Sequence, residues 1–113
     1  MTLTDFLAQI KENTPVSFAE TMTVIAENYA YSPTAFRNGE LDNSIGQNEG
    51  SCKIFAFAQL NELVEGQTLS LFGDYYRVDV LQNPDANDHQ NIRQFMEQGW
   101  AGIVFENAAL KAV

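Results

Sequence analysis

The chain has 113 residues, 45% of them hydrophobic and 12% aromatic, which is enough apolar material for one buried core and too much for a disordered chain. Fifteen acidic residues against six basic ones set a formal charge of -9, a surface that repels phosphate and excludes non-specific binding to nucleic acid or anionic membranes. The single cysteine forms no internal disulfide, no apolar run approaches the roughly twenty residues of a membrane span, and the N-terminus lacks a secretory pattern, so the cytoplasm is the expected compartment.

Leu3, Phe6, Leu7 and Ile10 share one helical face, and Thr2 and Thr14-Pro15 mark the start and stop of that helix. Ser17 and Glu20 then form a capping box ahead of a second helix, whose stripe of Phe18, Met22, Ile25, Ala26 and Tyr29 runs to about Ala30. Between Tyr31 and Gly50 the periodicity stops, and Pro33, Asn38-Gly39, Asn43, Gly46 and Asn48 predict a long polar loop pinned by Phe36 and Leu41. From Ser51 the run C-K-I-F-A-F-A-Q-L-N-E-L-V is apolar on most sides, the mark of a central helix, with Glu65-Gly66 as its stop.

Thr68 opens a further helix that keeps Leu69, Phe72, Tyr76 and Val80 on one face until Asn83-Pro84; a short β-hairpin over residues 69–81, turning at Gly73-Asp74, is the alternative. Asp88 is placed as N-cap of a helix that buries Ile92, Phe95 and Met96 and ends at Gly99. Trp100 to Phe105 is a short apolar stretch of either type, and Asn107 caps a last turn. The expected fold is therefore mainly α: a compact single-domain bundle of about five helices over residues 1–113, with one long polar loop at 31–50.

Two polar clusters carry the candidate chemistry. The first, Asn48 to Lys53, puts Cys52 at a predicted helix start, where Ser51 as cap and Lys53 as cation would lower the thiol pKa. The second, Asn87 to Arg93, holds the sole histidine, His89. With His89 as base and Asn91 or Asp88 orienting its ring, Cys52 becomes an acyl-transfer nucleophile; the competing reading makes Cys52 a small core hydrophobe and His89 a half-exposed imidazole. Asn48, Glu49, Ser51, Lys53, Tyr75, Gln90, Arg93 and Trp100 are the binding residues expected around a pocket between the clusters.

The candidate metal ligands are Glu40, Asp42 and Glu49 in the long loop and Asp85, Asp88 and His89 in the second cluster. Neither set has the alternating carboxylates of a calcium loop or the His and Cys of a zinc site, so neither a metal site nor a cofactor is expected. Phosphate-binding and dinucleotide-binding glycine motifs are likewise missing.

Five segments together resemble the HopJ family of type III effectors. They are F-x-x-T-M-x-x-I at Phe18 to Ile25, Y-x-Y-x-P-x-x-F-x-N-G at Tyr29 to Gly39, N-E-G-S-C-K-I-F at Asn48 to Phe55, F-G-x-Y-Y-R at Phe72 to Arg77, and D-H-Q-N-I-R-x-F-M-x-x-G-W at Asp88 to Trp100. The resemblance implies an effector-like protein that works by contact with a protein partner, and type III secretion as the alternative to cytoplasmic residence. It brings no reaction with it. A cysteine-dependent hydrolase or transferase built on Cys52 and His89, and a module that binds a small ligand without turnover, are the competing functions.

Overall fold

The structure, a computed structural model, describes residues 2–113. Helix α1 spans Leu3–Lys11, and the Thr2 hydroxyl accepts the Asp5 amide at 3.1 Å as its cap. Helix α2 spans Phe18–Asn28 behind the expected capping box, with Glu20 N–H donating to Ser17 Oγ at 3.0 Å and Ser17 N–H to Glu20 Oε1 at 3.3 Å. Helix α1 turns the face read from the sequence inward and buries Phe6 and Ile10; α2 buries Thr21, Val24 and Ile25, so of the stripe read for it only Ile25 is buried, Phe18, Met22 and Tyr29 are half-buried and Ala26 is exposed.

The all-helical expectation fails after α2. About 52% of the chain is helical and 13% is strand, and the strands build two small antiparallel sheets, which makes this a mixed α/β fold. Strand β1 (Tyr29–Tyr31) takes the chain straight out of α2 and pairs with β5 (Leu110–Ala112), Tyr29 facing Ala112. The predicted loop at 31–50 contains a hairpin of β2 (Phe36–Asn38) and β3 (Leu41–Asn43) that turns through Gly39-Glu40, with φ +59° at Gly39. Strand β4 (Ile103–Phe105) pairs with the other side of β2, giving the order β3-β2-β4. Each strand is three residues long, too short for period-two alternation to stand out. The last turn expected after Asn107 is likewise a strand.

Helix α3 (Glu49–Leu60) begins two residues before Ser51 and runs through the middle of the core. Ile54, Phe55, Phe57 and Ala58 have no exposed surface, and Phe55 packs against Phe36, Phe72, Phe95 and Trp100 with ring centroids 4.9–6.4 Å apart. Glu65-Gly66 opens helix α4 (Glu65–Ser70) where a stop was expected. After Gly73 a π-helical turn covers Tyr75–Val80, so the hairpin alternative for 69–81 is excluded. Gly73 has φ +62°, and a Cβ there would lie 2.6 Å from the Phe18 amide nitrogen; only glycine lets the π-turn sit this close to the start of α2. Helix α5 (Gln90–Gln98) and a 3-10 turn (Gly99–Gly102) lead into β4. No helix among the described residues is long and apolar enough to cross a membrane.

Candidate functional site

The two polar clusters, far apart in sequence, meet across one cleft of about 530 Å³. Asn48, Gly50 and Ser51 from the start of α3 form one wall, His89, Gln90 and Asn91 from the start of α5 another, and Leu41 to Asn43 of β3 a third. Phe18, Phe72 and Tyr75 supply the apolar side.

Both helix starts are built the same way. Asn48 (φ 51°, ψ 48°) and His89 (φ 49°, ψ 50°) are left-handed residues immediately before α3 and α5, and neither side chain accepts a capping hydrogen bond. Asp88, expected as the cap of α5, instead stands one residue further out and accepts Arg93 Nη2 at 2.6 Å. Ser51, expected to cap the helix of Cys52, lies inside its first turn. The first turns of both helices stand in the cleft walls, and a helix start leaves its first N–H groups without partners inside the helix.

A hydrogen-bonded set of asparagines ties the walls together; of these the sequence offered Asn38 and Asn43 only as turn formers, Asn48 as a binding residue and Asn91 as the orienter of His89. Asn38 Nδ2 donates to Asn91 O at 2.8 Å and to Asn91 Oδ1 at 3.0 Å. Asn43 and Asn91 exchange amide bonds at 3.2 and 3.0 Å, and Asn48 Nδ2 donates to Asn43 Oδ1 at 2.7 Å. Asn38, Asn43 and Asn91 are buried. The set ties β2, β3, α3 and α5 together and fixes the cleft width, so Asn91, expected to orient His89, is held by asparagines.

His89 bonds elsewhere. Its Nε2 lies 2.9 Å from Asp79 Oδ2 in the π-turn and 3.8 Å from Asp88 Oδ2, and its ring packs on Tyr75 at 5.1 Å between centroids. Tyr75 in turn meets Phe18 edge-on at 5.0 Å. Arg93 braces the loop before α5, donating to Asp88 O at 2.6 Å and Pro84 O at 3.2 Å, and its guanidinium holds the Asp88 carboxyl below the usual carboxylate range. Sequence reasoning missed Asp79, whose part depends on a fold contact with His89.

Cys52 is not in the cleft lining. It is 1% exposed, and its Sγ points to the Thr34 carbonyl at 3.9 Å, beside the Tyr31 hydroxyl. Burial raises its pKa above the ordinary thiol value, the reverse of what an activated nucleophile needs. Lys53, expected to assist the thiolate, lies over the Tyr31 ring at 4.8 Å. Of the expected binding residues, Asn48, Ser51, Tyr75 and Gln90 line the cleft. Glu49 is exposed at the start of α3, Arg93 acts as the brace just described, and Trp100 joins the core, with Nε1–H donating to Leu63 O at 2.9 Å.

Known proteins now place the chain. It matches the family described as HopJ type III effector protein over residues 3–110. A crystal structure of the unknown-function protein VPA0580 superposes with a TM-score of 0.98 at 50% sequence identity, covering 100% of this chain and 95% of that one. No curated protein matches. With nearly its whole length inside the family's bounds, the chain belongs to the HopJ family.

Proposed function

We propose that this HopJ protein is a non-catalytic binding module whose cleft captures a segment of a partner protein. The observation that carries this reading is the convergence of Asn48, Ser51, Tyr75, His89 and Gln90 on one cleft while the sole thiol is turned into the core. Free amides, a hydroxyl and a carboxamide suit the donors and acceptors of a peptide group, and Phe18, Phe72 and Tyr75 offer an apolar side chain a surface. A Cys-His nucleophile pair loses its support, because His89 Nε2 bonds Asp79 and Cys52 packs against Thr34.

Selection of a random peptide library displayed on phage tests this directly. Enriched peptides are expected to bind Cys52→Ala like the parent and to lose at least ~10-fold in affinity for Ser51→Trp, which fills the cleft, and for Tyr75→Ala. Enrichment of nothing, or of peptides indifferent to Ser51→Trp, overturns the proposal.

We place the action of this module in the bacterial cytoplasm, because Phe6 and Ile10 make α1 part of the core. Type III delivery, which the family description names, is the competing route. A fusion of residues 1–25 to a translocation reporter separates the two: retention supports residence, and transfer into host cells overturns it.

A further inference from the structure

We infer that Asp79, Asp88 and His89 bind one divalent transition-metal ion at the rim of the cleft. The donor atoms come from two separate elements, the π-turn and the segment entering α5, and all lie within 4.8 Å of one another. His89 Nε2 faces both carboxylates, at 2.9 Å from Asp79 Oδ2 and 3.8 Å from Asp88 Oδ2. Ligand atoms each about 2.1 Å from a shared ion stand roughly 3–4 Å apart, so little rearrangement brings all three onto one metal.

The chemistry of the donors points the same way. One Nε2 carries at most one proton, so it satisfies one carboxylate and leaves the second facing a nitrogen it does not bond. A cation between them satisfies all three at once. Arg93 grips the far oxygen of Asp88, Oδ1, at 2.6 Å, and thereby turns Oδ2 toward His89, as outer partners orient metal ligands elsewhere. An imidazole with two carboxylates suits Zn²⁺, Mn²⁺, Co²⁺ or Ni²⁺ better than Ca²⁺, which prefers oxygen alone. The side chains of His89, Asp79 and Asp88 are 27%, 43% and 53% exposed, which leaves a path for the ion. Three protein ligands also leave coordination positions open, as in zinc sites that bind substrate. His89 lines the cleft, so an ion held there would stand beside any bound ligand. The binding-module reading does not depend on this site.

The chain has one histidine, so its ring ¹⁵N resonances report on His89 without ambiguity. Zn²⁺ alone, titrated into the full chain at neutral pH, is expected to bind with one-to-one stoichiometry and to shift the Nε2 resonance. Asp79→Asn and Asp88→Asn are each expected to weaken binding by about 10-fold or more, while Asp85→Asn, in the same loop, binds like the parent. If an aspartate variant loses its circular dichroism signature, calorimetric Zn²⁺ titration of His89→Gln supplies the same comparison, with loss of binding expected. The inference is overturned by an unmoved Nε2, by no saturation below about 1 mM Zn²⁺, by equal affinity in folded Asp79→Asn, or by undiminished binding in His89→Gln.

Discussion

Ser51 and Cys52 are neighbours in α3, yet their side chains leave the helix in different directions, Ser51 into the cleft and Cys52 toward Thr34. Burial raises the Cys52 pKa above its ordinary value, and burial also raises that of Tyr31 beside it. A raised folded pKa means that the unfolded chain loses its proton first. The Cys52 contribution to stability is thus fully present below the unfolded thiol pKa of about 8.5 and is lost as pH rises toward the folded value. Urea unfolding of the parent at pH 7.5 and 9.5 should therefore give a lower midpoint at the higher pH, and Cys52→Ala should show a smaller drop. An identical drop in both proteins would show that the thiol is not the titrating group. Asn91 makes a second prediction at this scale. Asn91→Ala strips the side-chain acceptor from Asn38 and Asn43 and the donor to Asn43 in a buried setting, and should destabilise by about 2–4 kcal/mol in denaturant titration. A loss under ~0.5 kcal/mol would mean that water replaces those bonds.

At the scale of elements, the π-turn of Tyr75–Val80 presents both Tyr75 and Asp79 to His89. Its approach to α2 depends on Gly73, where a Cβ would collide with Phe18 N at 2.6 Å at a positive φ. Gly73→Ala should cost about 2–4 kcal/mol, through strain and overpacking together, and should weaken binding at the cleft as Tyr75 shifts. Equal chemical unfolding curves for variant and parent would show that the junction gives way easily. The same contrast explains what the sequence made legible. Helices α1 and α2 were readable because caps and stripes are local: Thr2, Ser17 and Glu20 act within one turn of where they stand. The strands were not: β1 and the far side of β2 find their partners near the C-terminus, Tyr29 at Ala112 and Phe36 at Phe105, and the local hairpin of β2 and β3 is only three residues a side. Three-residue strands hold too little pattern to announce a distant pairing. The cleft was half legible for a related reason. Both clusters stood out as polar segments beside apolar runs, and six of the expected site residues, Asn48, Ser51, Tyr75, His89, Gln90 and Asn91, do line it. Asp79, Asn38 and Asn43 carry their roles only through contacts across the fold.

For the whole molecule, the charge of -9 sets the balance between cohesion and self-repulsion. Several of the few cations are committed within the fold: Arg37 to Asp42 at 3.1 Å, Arg93 to Asp88 at 2.6 Å, and Arg77 to the Val16 carbonyl. Exposed pairs such as Arg37–Asp42 contribute ~0–1 kcal/mol at most, so salt has little attraction to screen away. The unbalanced acids repel across a molecule with a radius of gyration of 13.2 Å, only slightly more than the Debye length of about 10 Å at 0.1 M salt. Raising NaCl from 20 to 500 mM, roughly 20 to 4 Å in screening length, should therefore raise the thermal midpoint, because the compact state concentrates charge that the unfolded chain spreads out. The same titration on Asp5→Asn/Glu12→Gln/Glu27→Gln, which removes three acids from α1, its C-terminal edge and α2, should start from a higher midpoint and climb less steeply. If salt lowered the midpoint of the parent, specific ion pairs would outweigh the net repulsion, and Arg37–Asp42 and Arg93–Asp88 would have to hold the fold more strongly than their exposure allows.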